Sequence, residues 1–210
     1  AEVADAEGLI SIDAPVTGGD VGARNGTLSV MLGGDEQTST DILTPLLLDT
    51  VASKVTHFGD AGAGHAAKLA NQIGISTQII AMAESMVFAH RAGLDLQKWL
   101  PAVVNGGAGS FSMSNYAPRV MNRNFDPGFF VTHFIKDLGL AIDECKKMDI
   151  TLPGLDLAHM LFCGLEAQGH GDKGIHGIVL AMVELNKLQL PTVATEFKFP
   201  EAPAKVPAAA

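Results

Sequence analysis

A lysine and an amide three residues apart, Lys68 and Asn71, stand one turn inside a stretch that opens with small residues, Gly59-Asp60-Ala61-Gly62-Ala63-Gly64. In a helix this spacing puts both side chains on one face. Gly62 and Gly64 leave the helix start open to a small molecule, and the free backbone N–H groups there favour an anion. A corner of this kind could hold a carboxylate and move a proton beside it. Read alone, the stretch is more economically a glycine-rich helix entry with an exposed lysine.

Two further segments carry residues of interest. Asp13-Ala14-Pro15-Val16-Thr17-Gly18-Gly19 turns a strand end into bare backbone beside a hydroxyl, and such a turn can present N–H donors to a carboxylate. A lone Gly-Gly turn is more often structural. Between Phe129 and Leu140, Phe129 precedes Lys136 by seven residues and Asp137 follows directly; alone, Lys136 reads as a solvated lysine. No metal site is expected, because the seven histidines are scattered and Cys145 and Cys163 lie eighteen residues apart. His170 and His176 straddle a glycine-rich turn and read as solvated loop histidines. Gly-x-Ser-x-Gly is missing from the sequence, and Gly62-Ala63-Gly64, which follows a strand and opens a helix, has no third glycine at the right place, so neither a nucleophile elbow nor a dinucleotide loop is expected within it.

The elements that must position these residues follow from patterning. The 210 residues are 47% hydrophobic and 18% charged, with mean hydropathy +0.24, which describes a globular chain able to bury a core. A net charge of −9 without any basic cluster argues against nucleic acid and anionic membrane as partners. No apolar run reaches the roughly 18 residues needed to span a bilayer. The acidic N-terminus resembles neither a signal nor a transit peptide, and the two cysteines read as buried thiols of an intracellular protein, mitochondrial or cytoplasmic.

Residues 1–61 read as three strands and one helix. The strands are Leu9–Ala14, stopped by Pro15, then Thr27–Leu32 and Val55–Phe58, with a loop from Pro15 to Gly26. Asp35 can cap the helix, which Pro45 shortens or kinks. From Gly62 to about residue 190 the period becomes helical. Leu69, Ile73, Ile80, Ala83 and Val87, widened by Ile75, Ile79, Met82 and Met86, describe a helix apolar nearly all round, the central element of a bundle ending at Gly93. Asp95 can cap the next helix, with Trp99, Leu100, Val103 and Val104 inward. Short turns are expected over Ser110–Met121. Phe134, Leu138, Ala141, Cys145 and Met148 mark a helix from about Thr132, with Lys136 off its stripe. Leu155, His159, Phe162 and Leu165 mark another, and Ile178, Met182, Leu185 and Leu188 the last. Residues 191–210 form a Pro/Ala-rich tail with too little apolar surface to fold alone. The expected fold class is mainly α, an all-helical domain preceded by a three-strand α/β piece.

Taken in order, Asp13-Ala-Pro-Val-Thr-Gly-Gly, Gly59-x-x-Gly-x-Gly-x-x-x-Lys68-x-x-Asn71, and Phe129 with Lys136-Asp137-Leu-Gly-Leu-Ala141 resemble the β-hydroxyacid dehydrogenases, in particular the 3-hydroxyisobutyrate dehydrogenase group with its tartronate semialdehyde and glyoxylate/succinic semialdehyde reductases. The resemblance runs in register from about Ile10 to Leu188. It implies that Lys68 is the general acid/base, that Thr17, Gly18, Gly19 and Asn71 hold the substrate carboxylate, and that Phe129 and Lys136 close the site over substrate and nicotinamide. The implied cofactor is NAD or NADP, and the implied substrate a short carboxylate-bearing hydroxyacid or semialdehyde. No arginine cluster for a sugar phosphate stands in the three segments.

Family members place a Gly-x-Gly-x-x-Gly turn roughly a hundred residues before the Asp-Ala-Pro motif. Residues 1–61 are therefore expected to be the last part of a Rossmann-type cofactor domain, and residues 62–190 the substrate and oligomerisation domain. The chain by itself is expected not to bind the cofactor. The resemblance also implies a homo-oligomer through the helices. The competing expectation is a non-catalytic structural or interaction subunit, with a partner on an exposed sheet edge near Leu9–Asp13.

Overall fold

The computed structural model describes residues 1–189 and 196–199. A short helix, α1 (Glu2–Ala6), precedes a three-stranded sheet in the order β1 (Val16–Thr17), β2 (Leu28–Leu32), β3 (Ala52–His57). β1 pairs antiparallel with β2, Val16 opposite Val30, and β2 pairs parallel with β3, Leu32 opposite His57. Leu28, Val30 and Leu32 alternate inward along β2, so it is the covered strand of the sheet.

Two expectations for this region are corrected. Leu9–Ala14 is not a strand: Leu9 and Ile10 are each 63% exposed, and only Asp13 makes an isolated bridge, to Gly33. An apolar run forms a strand only when a neighbour takes its backbone groups, and here β2 pairs instead with Val16–Thr17. The stretch from Pro15 to Gly26 is likewise not all loop. Gly18, at φ +124°, caps a helix α2 (Gly19–Asn25), Asp20 and Arg24 pair across one turn, and Gly26 in the left-handed region closes it. β3 also begins earlier than expected, at Ala52.

Between β2 and β3 the chain crosses over in a helix that Asp35 starts, its Oδ1 accepting the Thr38 N–H at 2.7 Å. Thr38–Leu43 is wound as a π-helix and leads into α3 (Thr44–Thr50). Proline has no N–H to give and its ring crowds the preceding turn; the widened turn ahead of Pro45 accommodates both, so the helix is neither broken nor ended there.

The remaining described chain is helical. α4 (Ala63–Arg91) runs through the centre against α7 (Val131–Lys147), α8 (Pro153–Leu165) and α9 (Ile178–Leu185), with α5 (Leu96–Val103) and α6 (Ala117–Met121) alongside. Gly93 at φ +79° follows the end of α4, and Asp95 caps α5 by accepting the Gln97 N–H at 2.9 Å. Ile79, Met82 and Ala83 of α4, Phe134 and Leu138 of α7, Phe162 and Leu165 of α8 and Ile178 of α9 are fully buried together. Phe134 and Phe162 meet edge to face with ring centres 4.9 Å apart. Met148 and Leu185, expected on the inward stripes, are exposed because each falls at or beyond the last turn of its helix.

Cys145 is buried and Cys163 half-buried, its Sγ 3.7 Å from His159 Nε2. Most of the expected tail lies outside the described residues. Within Glu196–Phe199, Phe197 is buried against the helices, and the Asn122 side chain both donates to its carbonyl and accepts its N–H, at 3.1 and 2.6 Å. Among the described residues no helix is long and apolar enough to cross a membrane, and no group of three or more His, Cys, Asp or Glu is placed to hold a metal.

Candidate active site

The start of α4 is built differently from what its glycines suggest. Its free N–H groups already hold an anion: the carboxylate of Asp13, which accepts from Gly62 at 2.7 Å and His65 at 2.8 Å, with the His65 ring 3.3 Å away. Burial raises the pKa of Asp13, but the two amides and the His65 ring outweigh it and leave it below the ordinary 3.8. Gly64 is a glycine for packing, since a Cβ there would stand 2.5 Å from the Met31 carbonyl and 2.7 Å from Asp13 Oδ2. Gly33 faces it under the same constraint. The helix end thus locks α4 to the end of β2 and does not receive a small molecule.

One turn further on, Lys68 and Asn71 share a half-buried face of α4, as their spacing requires. Burial disfavours the Lys68 ammonium, Asp137 on α7 opposes that and Lys136 adds to it, and the net effect holds Lys68 below the 10.5 of an ordinary lysine. Beside them runs a chain of polar contacts between α4 and α7. Asn71 Nδ2 donates to Gln72 Oε1 at 2.9 Å, Gln72 Nε2 donates to Asp137 Oδ2 at 2.7 Å, and Lys136 Nζ lies 2.8 Å from Asp137 Oδ1. Lys136 is therefore an ion-paired lysine at the surface, with its side chain two-thirds exposed.

The third segment joins through Asp20, at the start of α2: a Cβ on Gly128 would come within 2.7 Å of Asp20 Oδ1, which brings the residue after Gly19 against the residue before the half-buried Phe129. Gly19 has open space where a side chain would be. Three pairings thus draw the sequence segments together: Asp13 with Gly62 and His65, Asp20 with Gly128, and Gln72 with Asp137. Phe129 packs its ring edge to face on Phe134 of the core, 5.8 Å away. A shallow recess lined by Phe130, Thr132, His133, Gly171 and Asp172 contains none of the candidate residues.

His176 is not a solvated loop histidine. It is 1% exposed between Tyr116 and Phe125, stacked on the first at 5.3 Å, and Nε2 donates to the Asn124 carbonyl at 2.8 Å while Nδ1 has no partner. Burial pushes its pKa down to about 4, so it is neutral and structural.

Gln72 and the roles of Asp13 and Asp137 are not read from the sequence. The signal for Gln72 is present nonetheless: Gln72, Ser76, Ile79, Ala83 and Met86 form the buried stripe of α4 in four-three-four-three steps, and its first two members are polar. A polar residue heading an apolar stripe requires a partner.

Residues 62–182 match the family model described as NAD-binding of NADP-dependent 3-hydroxyisobutyrate dehydrogenase, and residues 1–59 match the NAD binding domain of 6-phosphogluconate dehydrogenase. Over 190 residues the chain is 46% identical to the Arabidopsis thaliana protein named "Probable 3-hydroxyisobutyrate dehydrogenase-like 1, mitochondrial", covering 90% of this chain and 56% of that one. It is similar to the crystal structure of 3-hydroxyisobutyrate dehydrogenase from Salmonella typhimurium, with 34% identity, a TM-score of 0.76 and coverage of 85% of this chain and 64% of that one. It is also similar to Mycobacterium tuberculosis 3-hydroxyisobutyrate dehydrogenase solved with L-serine, with 32% identity, a TM-score of 0.77 and coverage of 86% and 64%. The chain therefore spans a little over half of the Arabidopsis relative and less than two thirds of either solved structure.

Proposed function

The chain belongs to the β-hydroxyacid dehydrogenase family, the group of 3-hydroxyisobutyrate dehydrogenase, and on that premise we propose that it forms the substrate and proton-transfer side of an NAD(P)-dependent dehydrogenase of short β-hydroxyacids and their semialdehydes. The observation that carries this reading is Lys68, a half-buried lysine with its ammonium disfavoured, on the same face of α4 as Asn71. A neutral amine there takes the hydroxyl proton as the alcohol is oxidised and returns it in the reverse direction. Asn71 and the Thr17–Gly19 turn, with its open Gly19 backbone, hold the carboxylate. The L-serine bound by the Mycobacterium relative has the same outline, a carboxylate two carbons from a hydroxyl.

The residues fit one end of the cofactor. Phe129 offers an aromatic ring and Lys136 a cation beside Lys68, which suits the nicotinamide end. Among the described residues nothing suits the pyrophosphate: the Gly-x-Gly-x-x-Gly at Gly169–Gly174 follows a helix and not a strand, and the one cradle of N–H groups described above is filled by Asp13. When bound, the nicotinamide supplies or accepts the hydride.

The test is steady-state turnover of short β-hydroxyacids by the full-length polypeptide. Lys68→Ala is expected to lower kcat by about 10²–10⁴-fold, the usual contribution of a general acid/base. Because burial lowers the Lys68 pKa, the neutral base appears below 10.5, and oxidation speeds up as pH rises through that lowered value. An unchanged pH profile in Lys68→Arg defeats the assignment.

The second reading, a non-catalytic subunit, draws on the exposed Leu9 and Ile10 and on the outer edge of β3, which has no partner among the described residues. Titration of the 210-residue chain with NAD(H) and NADP(H) bears on both readings. Saturable binding would overturn the expectation that these residues alone do not hold the cofactor.

A further inference from the structure

The contact between α4 and α7 has a direction built into it. A carboxylate only accepts hydrogen bonds, so the Gln72 amide must turn its NH₂ toward Asp137 and its oxygen away. That oxygen meets Asn71, and it accepts from the Asn71 NH₂ at 2.9 Å. The order of atoms is thus fixed at every step: carboxylate, Gln72 NH₂, Gln72 oxygen, Asn71 NH₂. Asparagine alone has two nearly isosteric amide orientations, one showing a donor and the other an acceptor to whatever lies in front of it.

We infer that Gln72 is a positioning residue that transmits the acceptor character of Asp137 to Asn71, fixing which end of the Asn71 amide faces the substrate. Gln72 suits this task because it is 1% exposed, so water does not compete for either end of its amide. It follows Asn71 directly, and about 100° of helix separates the two side chains. Asn71 therefore faces the candidate site while Gln72 faces α7. The Lys136 ammonium stands 2.8 Å from the other carboxylate oxygen, so both oxygens of Asp137 face donors. One Asn71 N–H is spent on Gln72 and the second, with Oδ1, is left to a ligand.

This inference rests on the reading of Asn71 as a substrate-binding residue, and its first test does not. In the ligand-free chain, the side-chain NH₂ resonances of Asn71 and Gln72 are followed by ¹⁵N NMR. Asp137→Asn, which does not touch Asn71, is expected to shift or split the Asn71 NH₂ signal, because an amide at 137 no longer dictates the direction. An Asn71 signal unmoved by both Asp137→Asn and Gln72→Met overturns the relay.

The second test is kinetic, in the full-length polypeptide. Gln72→Met is expected to raise KM for the hydroxyacid about tenfold, the order expected for loss of one well-placed hydrogen bond, with a smaller change in kcat. Gln72→Glu places a carboxylate against Asp137, near Lys136 and Lys68. Protonated at low pH, it can donate to Asp137 again, so its KM defect is expected to shrink as pH falls. Equal loss of kcat and KM effects in both variants, without recovery of Gln72→Glu, marks a merely structural residue. Full turnover in Lys68→Ala would instead sink the proposed function while leaving the NMR result standing.

Discussion

The first 61 residues and the helices that follow use apolar side chains in opposite ways. In the helical part the buried residues of α4 to α9 form one continuous cluster, with Phe134, Phe162, Ile79, Leu138 and Ile178 fully removed from solvent. In the sheet part the buried cluster is Val30, Leu32 and Ala52, with Ile12, Leu43, Leu47 and Val55 against it. That part also exposes as many large apolar residues as the helical part, which is twice its length, among them Ile10, Ile42, Leu46 and Phe58. Three buried side chains make too small a core for a unit of about sixty residues to be more than marginally stable alone. The contrast teaches that the helices hold the fold, and that the sheet is held through its seam with α4, where Asp13, Gly33 and Gly64 interlock.

The largest effect should come from the helical core. Phe134→Ala is expected to cost about 3–5 kcal/mol in urea unfolding followed by circular dichroism, through lost burial and the cavity opposite Phe162. Ile42→Ser, at a 61% exposed position of the sheet part, is expected to change stability by no more than about 0.5 kcal/mol. Similar costs for the two would break the comparison.

Acid should separate the regions next. His176 stays neutral down to about pH 4, whereas an unfolded histidine takes a proton near 6.5. The unfolded state therefore binds more protons between those values, and stability falls as pH drops from 6.5 to about 4, by about 3 kcal/mol in all. Asp13 in the seam has the same sign of dependence and a lower window: its contribution is complete above the ordinary 3.8 and is lost as pH falls through its depressed folded value. Urea midpoints measured at several pH values should thus decline first through His176, and His176→Phe should flatten that slope.

The smallest of these effects probes the seam. Gly64→Ala drives a methyl against the Met31 carbonyl and Asp13 and is expected to cost about 1–3 kcal/mol by overpacking. Gly74→Ala, on the same helix with open space around it, should instead stabilise by about 0.5–1 kcal/mol. Thermal melts of the two variants moving in the same direction would mean that the seam is not what constrains Gly64.

Much of the helical part was legible in the sequence because its information is local. The period of Phe134, Leu138, Ala141 and Cys145 marked α7, and Asp35 and Asp95 announced helix starts that they cap within three residues. The sheet part was read less well. Leu9–Ala14 has the composition of a strand and no strand beside it, and Gly18–Gly19 has the composition of a loop and begins a helix. Composition reports propensity, while pairing depends on what arrives from elsewhere in the chain.

The candidate site divides along the same line. By itself the sequence determined that Lys68 and Asn71 share a helical face, since 3.6 residues per turn leaves no other outcome. It also set out, through three ordered motifs, the family to which the chain belongs. Only the tertiary structure decided that Asp13 fills the N–H groups of α4, 49 and 52 residues away in sequence, and that Gln72 reaches Asp137 across 65 residues. Helical periodicity is a short-range property of the backbone. Which acceptor meets which donor at such separations is chosen by the packing of whole elements, because a buried amide or carboxylate must find its partner wherever the core brings one.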